Sequence, residues 1–303
     1  MTRSRQSMEF SLEELKERIA QWTDGEESYV SPSVGLSLFR IDRPTEPRNV
    51  MSEPSLCLIA QGSKRLLVGE ENYVYNTDRY LLTSVHLPTV ACIAEASPEK
   101  PYYGLKLALD QQQLSQLMAD GQLPPPRSQQ PRRGIATAPV TPALLSAVLR
   151  LVELLDEEAD IPILAPTIQK EIIYRLLVGE LGSHLRQIAT AGSLANEVSR
   201  AIFWIKENYS TAMDVDELAS KARMSRSTFY QHFRSVTAMS PLQYQKLIRL
   251  QEARRLMLSE QLDAATAGHR VGYGSPSQFS REYSREFGAS PSRDVAGLRE
   301  AVR

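Results

Sequence analysis

The C-terminal third of the chain contains a segment whose side chains could bind nucleic acid. A helix predicted after Ser225 carries hydrogen-bond donors and an aromatic ring on one face, and no carboxylate. Such a face suits the phosphates and the base edges of DNA. It consists of Arg226, Ser227, Tyr230, Gln231 and Arg234.

Apolar residues around this face predict two short helices that meet at a turn. Before the turn, apolar residues recur at i, i+3, i+4 and i+7, and Asp214 is placed to accept a hydrogen bond from the first free N–H groups. After the turn, Ser225 can cap a second helix with Phe229, Phe233 and Val236 on its buried side. The first set is Val215, Leu218, Ala219 and Ala222. This pattern predicts a helix-turn-helix unit.

The same design is repeated closer to the C-terminus. Asp263 precedes a short helix, the sequence GYGS forms a turn, and Pro276 begins a second helix, where its missing N–H costs nothing. Three aromatic residues at four-residue spacing would face inward, and Gly288 would end the helix. The inward set is Phe279, Tyr283 and Phe287, and the outward set is Ser277, Gln278, Arg281, Glu282 and Arg285.

A long helix is predicted between the two units, over residues 241–259. Its apolar residues recur close to helical spacing, and 18 residues at about 1.5 Å each span about 27 Å. Successive major grooves on one side of a DNA duplex lie about 34 Å apart. A rigid helix of this length could therefore present both outward faces to adjacent grooves.

These segments resemble the DNA-binding domain of the AraC/XylS family of transcription regulators. The resemblance covers about Ser199 to Pro291, and its most specific tract is GYGSPSQFSREY. It implies that both outward helices bind DNA, usually in a dimer on repeated half-sites. The chain departs from the family pattern at Gly268 and His269. A glycine inside a helix costs about 1 kcal/mol relative to alanine, so we expect the second unit to be the less stable one.

Length and composition indicate what else the 303 residues contain. They suffice for two domains. The N-terminus predicts an amphipathic helix rather than a signal peptide, and no apolar stretch is long enough to cross a membrane, so we expect a cytoplasmic protein. Cys57 and Cys92 lie among apolar residues, which favours buried, inert thiols over a redox pair. Residues 193–303 carry 16 Lys and Arg against 12 Asp and Glu, a balance of +4, which leaves −5 for residues 1–192.

Residues 30 to 110 change to the periodicity of short strands. Runs such as 55–63, 64–69, 72–76, 79–84 and 103–109 are rich in β-branched, aromatic and aliphatic residues and are separated by Gly, Asn or Pro. Strands at this spacing indicate a sandwich or a small barrel. The tract from Glu53 to Pro88 also resembles the cupin-like N-terminal domain found in one branch of the same family. That resemblance implies a domain that receives an effector, without saying which one.

A cupin fold also raises the hypothesis of a metal-dependent enzyme, which needs two or three histidines and a carboxylate. The barrel region has one histidine, His86, and the only other one before the DNA-binding part is His184. We therefore expect no enzyme, no cofactor and no metal site. His86 is interpreted as a loop or pocket residue.

Two leucine-rich helices are predicted after the barrel, over residues 142–159 and 166–188. Helices this apolar must pack against something, either their own barrel or a second subunit, and both are expected here. The proline-rich residues 123–142 are predicted to form a connector, and residues 187–196 an interdomain linker.

The sequence thus predicts an α+β chain: an N-terminal cupin-like β-barrel with flanking helices, then an all-α domain with two helix-turn-helix units joined by a long helix. The predicted domains are residues 1–135 (effector domain), 136–192 (dimerisation segment and linker) and 193–303 (DNA-binding domain). We expect a homodimeric transcription activator that binds double-stranded DNA and RNA polymerase, with a possible small-molecule effector. A regulator whose barrel is only a dimerisation scaffold stays open, because Tyr73, Tyr75, Tyr80 and Tyr102 could line a pocket or fill a closed core.

Two sets of side chains are predicted to bind DNA, one at the phosphates and one at the bases. Lys206, Arg223, Arg249 and Arg285 would contact phosphates. Base reading is assigned to Arg226, Ser227, Tyr230 and Gln231 in one groove and to Ser277, Gln278 and Arg281 in the other. Arg281 is the firmest assignment.

Overall fold

A computed structural model describes residues 2–120, 123, 132–190 and 192–300. Residues 124–131 of the predicted connector, and one residue of the predicted linker, therefore lie outside the described residues. The strands are β1 (Ser28–Ser31), β2 (Leu36–Ile41), β3 (Arg48–Ser52), β4 (Ser55–Gln61), β5 (Ser63–Val68), β6 (Glu71–Tyr75), β7 (Arg79–Thr83), β8 (Leu87–Glu95), β9 (Tyr102–Ala108) and β10 (Ile135–Pro139). The helices are α1 (Thr2–Trp22), α2 (Gln111–Asp120), α3 (Pro142–Glu153), α4 (Ile161–Val178), α5 (Gly182–Ala189), α6 (Leu194–Glu207), α7 (Val215–Lys221), α8 (Arg226–Thr237), α9 (Pro241–Ser259), α10 (Ala264–Arg270), α11 (Pro276–Phe287) and α12 (Pro291–Glu300).

The N-terminal half is built on two antiparallel sheets. One has the strand order β1-β2-β9-β4-β7-β10, and the other has the order β3-β8-β5-β6. They form an open sandwich rather than a closed barrel, and the predicted fold class is otherwise confirmed. Because β10 pairs with β7, the first sheet continues to Pro139, past the domain boundary predicted at residue 135.

Helices cover one face of the six-stranded sheet. Leu15 and Ile19 of α1 and Leu145 of α3 are fully buried there against Leu56 and Leu58 of β4. Burying a leucine or isoleucine side chain contributes about 1.5–3 kcal/mol, so this layer anchors α1 and α3 to the sheet. The predicted packing of the leucine-rich helices on their own barrel is therefore observed.

The helix predicted over residues 166–188 differs from the prediction. It begins earlier, at Ile161, and ends at Val178, and a separate helix α5 follows from Gly182. Pro166 lies inside α4 rather than at its start, in its second turn. Pro166 has no N–H to donate to the carbonyl of Pro162. Because Pro162 lies in the first turn of α4, the missing hydrogen bond is close to the N-terminus of the helix.

A second core lies between the two sheets and continues into the C-terminal half. Ile59, Leu66 and Tyr75 from the sandwich belong to the same buried cluster as Phe229 and Phe233 of α8. The first helix-turn-helix unit therefore packs directly on the N-terminal domain. The second unit has its own core, formed by Leu250, Ala253, Leu256, Met257, Ala267, Val271, Tyr273, Phe279, Tyr283 and Val295.

The long helix α9 spans residues 241–259 as predicted, but not all of its apolar residues are buried. Tyr244 and Ile248 are buried, whereas Leu242 is exposed. The aromatic ring of Tyr244 lies edge-on to Phe233 of the first unit, which sets this rotation of the helix.

No helix in the described part of the chain is long and apolar enough to cross a membrane.

Candidate nucleic-acid interface

The first helix-turn-helix unit consists of α7 and α8, each capped as the sequence predicts. The Asp214 carboxylate accepts hydrogen bonds from the N–H groups of Asp216 (2.8 Å) and Glu217 (3.2 Å). The hydroxyl of Ser225 accepts from the N–H of Thr228 at 3.2 Å. A side-chain cap of this kind is worth about 1 kcal/mol, which fixes where each short helix begins.

Buried aromatic rings hold α8 in place from its inner side. Phe229 and Phe233 are fully buried with ring centroids 5.7 Å apart, and Phe233 meets Tyr244 of α9 at 5.5 Å. Aromatic pairs at such distances add about 0.5–1.5 kcal/mol to the burial of their surface. The opposite face of α8 is thereby turned outward.

The structure brings the five predicted side chains of α8 together on this outer face. Arg226, Ser227, Gln231 and Arg234 are exposed, and Tyr230 is half-buried. The guanidinium of Arg226 lies 3.0 Å from the carboxylate of Asp216 and 5.8 Å from the Tyr230 ring. Asp216 belongs to α7, so the carboxylate that α8 lacks is supplied by its neighbour. Sequence analysis missed this contact, because nothing in the spacing of the two residues predicts it.

The second unit, α10 and α11, has the same construction. Asp263 caps α10 through the N–H groups of Ala265 and Thr266, both at 2.9 Å, and the Ser275 hydroxyl accepts from Gln278 at 3.4 Å. Gly288, with φ +76°, ends α11 in the left-handed region as predicted. Four aromatic rings line the inner side at centroid distances of 4.5–5.5 Å: Tyr273, Phe279, Tyr283 and Phe287.

The outer face of α11 presents Ser277, Gln278, Arg281 and Arg285, all exposed. Gln278 Nε2 donates to Glu282 Oε1 at 3.2 Å, and the other carboxylate oxygen accepts from the Tyr273 hydroxyl at 2.9 Å. Among the residues that the structure describes, none pairs with the guanidinium of Arg281 or Arg285. These two cations are therefore available to an external anion or acceptor.

Gly268, which departs from the family pattern, is explained by close packing. A Cβ atom at this position would lie 2.9 Å from Cγ of Phe279. The backbone of α10 thus approaches the Phe279 ring more closely than any other residue type would allow. Close packing therefore gives a structural reason for Gly268, and the lower stability expected of the second unit stays a prediction.

Two of the side chains predicted to contact phosphates also bind other parts of the protein. Lys206 Nζ donates to Nε2 of His86 at 2.9 Å. The guanidinium of Arg249 donates to three backbone carbonyls. Phosphate contact by these two side chains stays a prediction, since helical spacing alone could not show that α6 and α9 also direct them toward other parts of the chain. Arg223 is exposed in the turn before α8, with φ +54°.

The N-terminal domain contacts the C-terminal end of α8. Arg133 Nη1 donates to the carbonyl oxygens of Arg234 (2.8 Å) and Ser235 (2.9 Å), while its guanidinium pairs with Glu71 of β6. The Gly134 N–H donates to the carbonyl of Val236 at 2.9 Å. Arg133 therefore acts as a C-terminal cap for a helix of the other domain.

A second contact between the domains centres on His86. Its carbonyl accepts from the Tyr244 hydroxyl at 2.8 Å, and its ring accepts from Lys206. Burial, and then the charge of Lys206, lowers the pKa of His86 to about 4. The ring is therefore neutral near pH 7, as an acceptor for lysine must be. The Nε2 lone pair of His86 is thus engaged by Lys206.

Two open clefts adjoin these surfaces. One, of about 660 Å³, lies beside the outer face of α8 and is lined by Arg133, Tyr230, Gln231, Arg234, Ser235, Ser240 and Gln243. The other, of about 770 Å³, lies at one end of the sandwich and is lined by Pro44, Ala60, Gln61, Gly62, Asn76, Thr77, Ala94, Glu95, Ala96, Ser97 and Lys100. The first belongs to the surface that could meet DNA, and the second could hold a small polar molecule.

Of the tyrosines that could line a pocket, three are packed away. Tyr75 and Tyr102 are buried between the sheets, Tyr80 is buried against the helical layer, and Tyr73 is half-buried. The space between the sheets is thus largely filled by side chains. In the described ranges, no cluster of three or more His, Cys, Asp or Glu side chains could hold a metal ion.

Comparisons with known proteins agree with this architecture. Residues 32–184 match the family model "AraC-type transcriptional regulator N-terminus", and residues 218–295 match a helix-turn-helix domain model. The transcriptional activator RhaS of Escherichia coli is 24% identical over 228 residues, which is 74% of each chain. The activator RclR of E. coli, described as specific for RCS, is 40% identical over 92 residues, 30% of this chain and 31% of RclR.

Solved structures show the same fold. ToxT of Vibrio cholerae, bound to (E)-4-(8-methylnaphthalen-1-yl)but-3-enoic acid, superposes with a TM-score of 0.58 over 86% of this chain and 97% of ToxT, at 12% identity. A second structure of ToxT, bound to an unsaturated fatty acid, gives a TM-score of 0.54 at 11% identity over 86% of this chain and 93% of ToxT. At these identities the likeness supports the fold alone.

Proposed function

We propose that this chain, which belongs to the AraC-type transcriptional regulators, activates transcription in the cytoplasm by binding one promoter sequence through α8 and α11. The observation that carries the proposal is the repeated construction of the two units. Each has a capped helix held from inside by aromatic rings, with arginine, serine and glutamine side chains on the outside. The proposal involves no catalysis. As an activator, the DNA-bound protein would contact RNA polymerase.

The two outer faces offer the donors that the major groove reads. Arginine binds the N7 and O6 atoms of guanine, and glutamine binds adenine, each with two hydrogen bonds. Arg281, which has no partner within the described structure, can form such a pair without losing a contact. Arg226 must first break its ion pair with Asp216, or bind that carboxylate and a base at the same time. We therefore propose that Arg281 is the leading base-reading residue of α11, with Arg285 and Arg234 bound to phosphates.

The test uses DNA selected from a random duplex library by the full-length protein. Arg281→Ala should weaken binding to the selected fragment by about 5- to 150-fold, which corresponds to about 1–3 kcal/mol for a base contact of this type. Binding to random DNA should change much less. Arg43→Ala, which removes an exposed loop arginine of the N-terminal domain, is the matched control and should change neither. Equal weakening on selected and random DNA would make Arg281 a phosphate contact instead.

We further propose that the cleft at the end of the sandwich receives a small-molecule effector. Its lining includes two amide side chains, one carboxylate and one amine, which suit a polar ligand. ToxT, which has the same fold, is described in complexes with organic acids. Native mass spectrometry of the full-length protein, purified from its host, tests this. A bound small molecule that is lost from Gln61→Ala would support the proposal, whereas a mass equal to that of the bare chain would favour the scaffold alternative.

We also propose that α4 forms the contact of a homodimer. Ile163, Leu164, Tyr174 and Val178 are exposed, by 43–74%, and at 100° per residue they lie along one side of the helix. Ile163→Glu should convert the dimer to a monomer in analytical ultracentrifugation. Phe10→Glu, at another exposed apolar residue, is the control. A wild-type protein that sediments as a monomer at micromolar concentration would refute the proposal.

A further inference from the structure

One side chain of α9 joins the two helix-turn-helix units. Arg249 Nε donates to the carbonyl of Tyr209 at 2.6 Å, and Nη2 donates to the carbonyl of Thr211 at 2.8 Å. Both carbonyls lie in the loop that leads into α7 of the first unit. The remaining nitrogen, Nη1, donates to the carbonyl of Gly272 at 3.1 Å, in the turn of the second unit. All three nitrogens of the guanidinium are thus engaged in holding backbone.

The two loops that Arg249 joins also contact each other. Gly272 has φ +92°, and a Cβ atom at this position would lie 2.1 Å from the carbonyl oxygen of Ser210. Only glycine fits here, both for its conformation and for its space. Gln245, one turn earlier on α9, donates to the same carbonyls of Tyr209 and Thr211, at 3.0 and 2.8 Å. Gln245 and Arg249 of α9 therefore hold the two loops in contact through hydrogen bonds to their backbone carbonyls.

Arg249 is further linked to the reading helix α11. Its guanidinium lies 6.0 Å from the ring centroid of Tyr273, whose hydroxyl donates to Glu282 of α11 at 2.9 Å. The buried cores of the two units are separate, so apart from α9 itself the units are joined by these polar contacts and by the partly buried ring of Tyr209, which packs against both cores. Removing the guanidinium would leave the carbonyls of Tyr209, Thr211 and Gly272 with fewer donors and the second unit less firmly oriented.

We propose that Arg249 is a positioning residue, which fixes the spacing and the relative orientation of α8 and α11. This inference rests on the proposed DNA recognition by both helices. The helix α9, with 19 residues, is about 28 Å long, shorter than the about 34 Å between adjacent major grooves on one side of DNA. The remaining separation and the angle depend on how the units are fixed at the ends of α9. A rigid joint at Arg249 therefore restricts the protein to DNA sites with one separation between the two recognised segments.

The choice of arginine matters for this role. A guanidinium presents donors in a planar fork, and here they serve three carbonyls in different directions. Lysine keeps the positive charge but is a single point donor on a flexible stem. Arg249→Lys is therefore the informative variant, because it retains charge and length while it removes the fork.

The experiment measures binding of the full-length protein to duplexes that it selects from a random library. Each selected duplex is also made with one base pair inserted between the two recognised segments. Wild-type protein should bind the inserted duplex about tenfold or more weakly, a loss comparable to that of a mismatched base pair. Arg249→Lys should reduce this ratio to about threefold or less. Arg255→Lys, on an exposed arginine of the same helix that pairs with Glu252, is the matched control and should keep the wild-type ratio.

The outcomes separate the possible roles of Arg249. An unchanged ratio in folded Arg249→Lys, or an equal loss of affinity on both duplexes with the ratio intact, would overturn the proposal and leave only a stabilising role. If Arg249→Lys unfolds at the assay temperature, Tyr273→Phe provides the same readout, because it breaks the link from Arg249 to α11 at Glu282. An unchanged ratio there would also overturn the proposal. Failure of the wild-type protein to select any sequence would instead refute the proposed function itself.

Discussion

Replacing Gly268 with alanine sets two opposite effects against each other. Gly268 is in the middle of α10, where alanine favours the helix by about 1 kcal/mol. The added Cβ atom, however, would lie 2.9 Å from Cγ, 3.0 Å from Cδ1 and 3.3 Å from Cβ of Phe279. Carbon atoms without bonds between them prefer about 3.5–4.0 Å. Either the ring or the helix must therefore move by several tenths of an ångström.

The surroundings of Phe279 make this movement costly. The ring is fully buried between Tyr273 and Tyr283, whose centroids lie 5.3 and 5.5 Å away. Adding a methyl group to a packed core usually costs about 1–3 kcal/mol. Subtracting the gain in helix propensity leaves Gly268→Ala less stable than the wild type by up to about 2 kcal/mol. Because Phe279 belongs to α11, the same movement should also displace the outward side chains of that helix.

Thermal unfolding and DNA binding of the full-length protein test this prediction. Gly268→Ala should lower the Tm by about 2–4 °C for each kcal/mol lost, and should weaken binding to the selected DNA. Gly297→Ala is the matched control, because Gly297 is also inside a helix but a Cβ atom there would meet nothing within 4 Å. That control should raise the Tm. If Gly268→Ala raises the Tm as much as Gly297→Ala does, the packing argument is refuted.

Three further predictions follow from the contacts of the first unit. Asp216→Asn should strengthen DNA binding, measured by fluorescence anisotropy, about two- to fivefold. The variant removes an exposed ion pair worth at most about 1 kcal/mol, so Arg226 no longer has to break that pair before it binds DNA. Arg133→Ala should lower the free energy of unfolding in urea by about 1.5–3 kcal/mol, because bonds from this half-buried cation to Glu71 and to the end of α8 are lost. The pKa of His86 is about 4 in the folded protein and 6.5 ordinarily, so between these pH values the unfolded chain binds a proton that the folded chain does not. The free energy of unfolding should therefore fall as the pH is lowered from about 6.5 toward 4, and should fall less steeply in His86→Gln.

Each of these three predictions has a control variant or an outcome that would contradict it. Glu217→Gln removes a carboxylate from the same helix as Asp216, but one that pairs with Lys221, so it should not strengthen DNA binding to the same extent. Arg132→Ala removes the exposed neighbour of Arg133 and should leave stability nearly unchanged. Weaker DNA binding by Asp216→Asn would show that the carboxylate orients Arg226 for its base rather than competing with it. A pH profile of His86→Gln that is parallel to that of the wild type would assign the titration to another group.

Local sequence signals predicted the helices of the C-terminal half well. The caps Asp214, Ser225 and Asp263 each precede a helix where expected, Pro276 begins α11, and Gly288 ends it. These signals depend on hydrogen bonds within a few residues, so they can be read along the chain. The aromatic residues at four-residue spacing on α8 and α11 were likewise predicted to face inward, and Phe229, Phe233, Phe279 and Tyr283 are fully buried.

What the sequence could not predict depends on contacts between distant residues. Arg249 and Lys206 have the same pattern as cations on a free helical surface, and only the fold shows that they bind carbonyls and a histidine. The pairing of β2 with β9 likewise joins segments more than sixty residues apart, so the open sandwich could not be distinguished from a closed barrel. Arg133 lies in a proline-rich tract that suggested a connector, whereas it caps a helix of the other domain.

The distribution of the cores suggests how a change in the N-terminal domain would reach both reading helices. The first unit shares a core with the sandwich, and Arg133, Gly134 and His86 add polar contacts around it. The second unit has a separate core and is linked to the first through α9 and Arg249. A shift of the sandwich would therefore act on α8 directly, and on α11 through α9 and the contacts around Arg249. On this basis, loss of the Arg249 fork should weaken the coupling of α11 to an effector bound in the sandwich more than the coupling of α8.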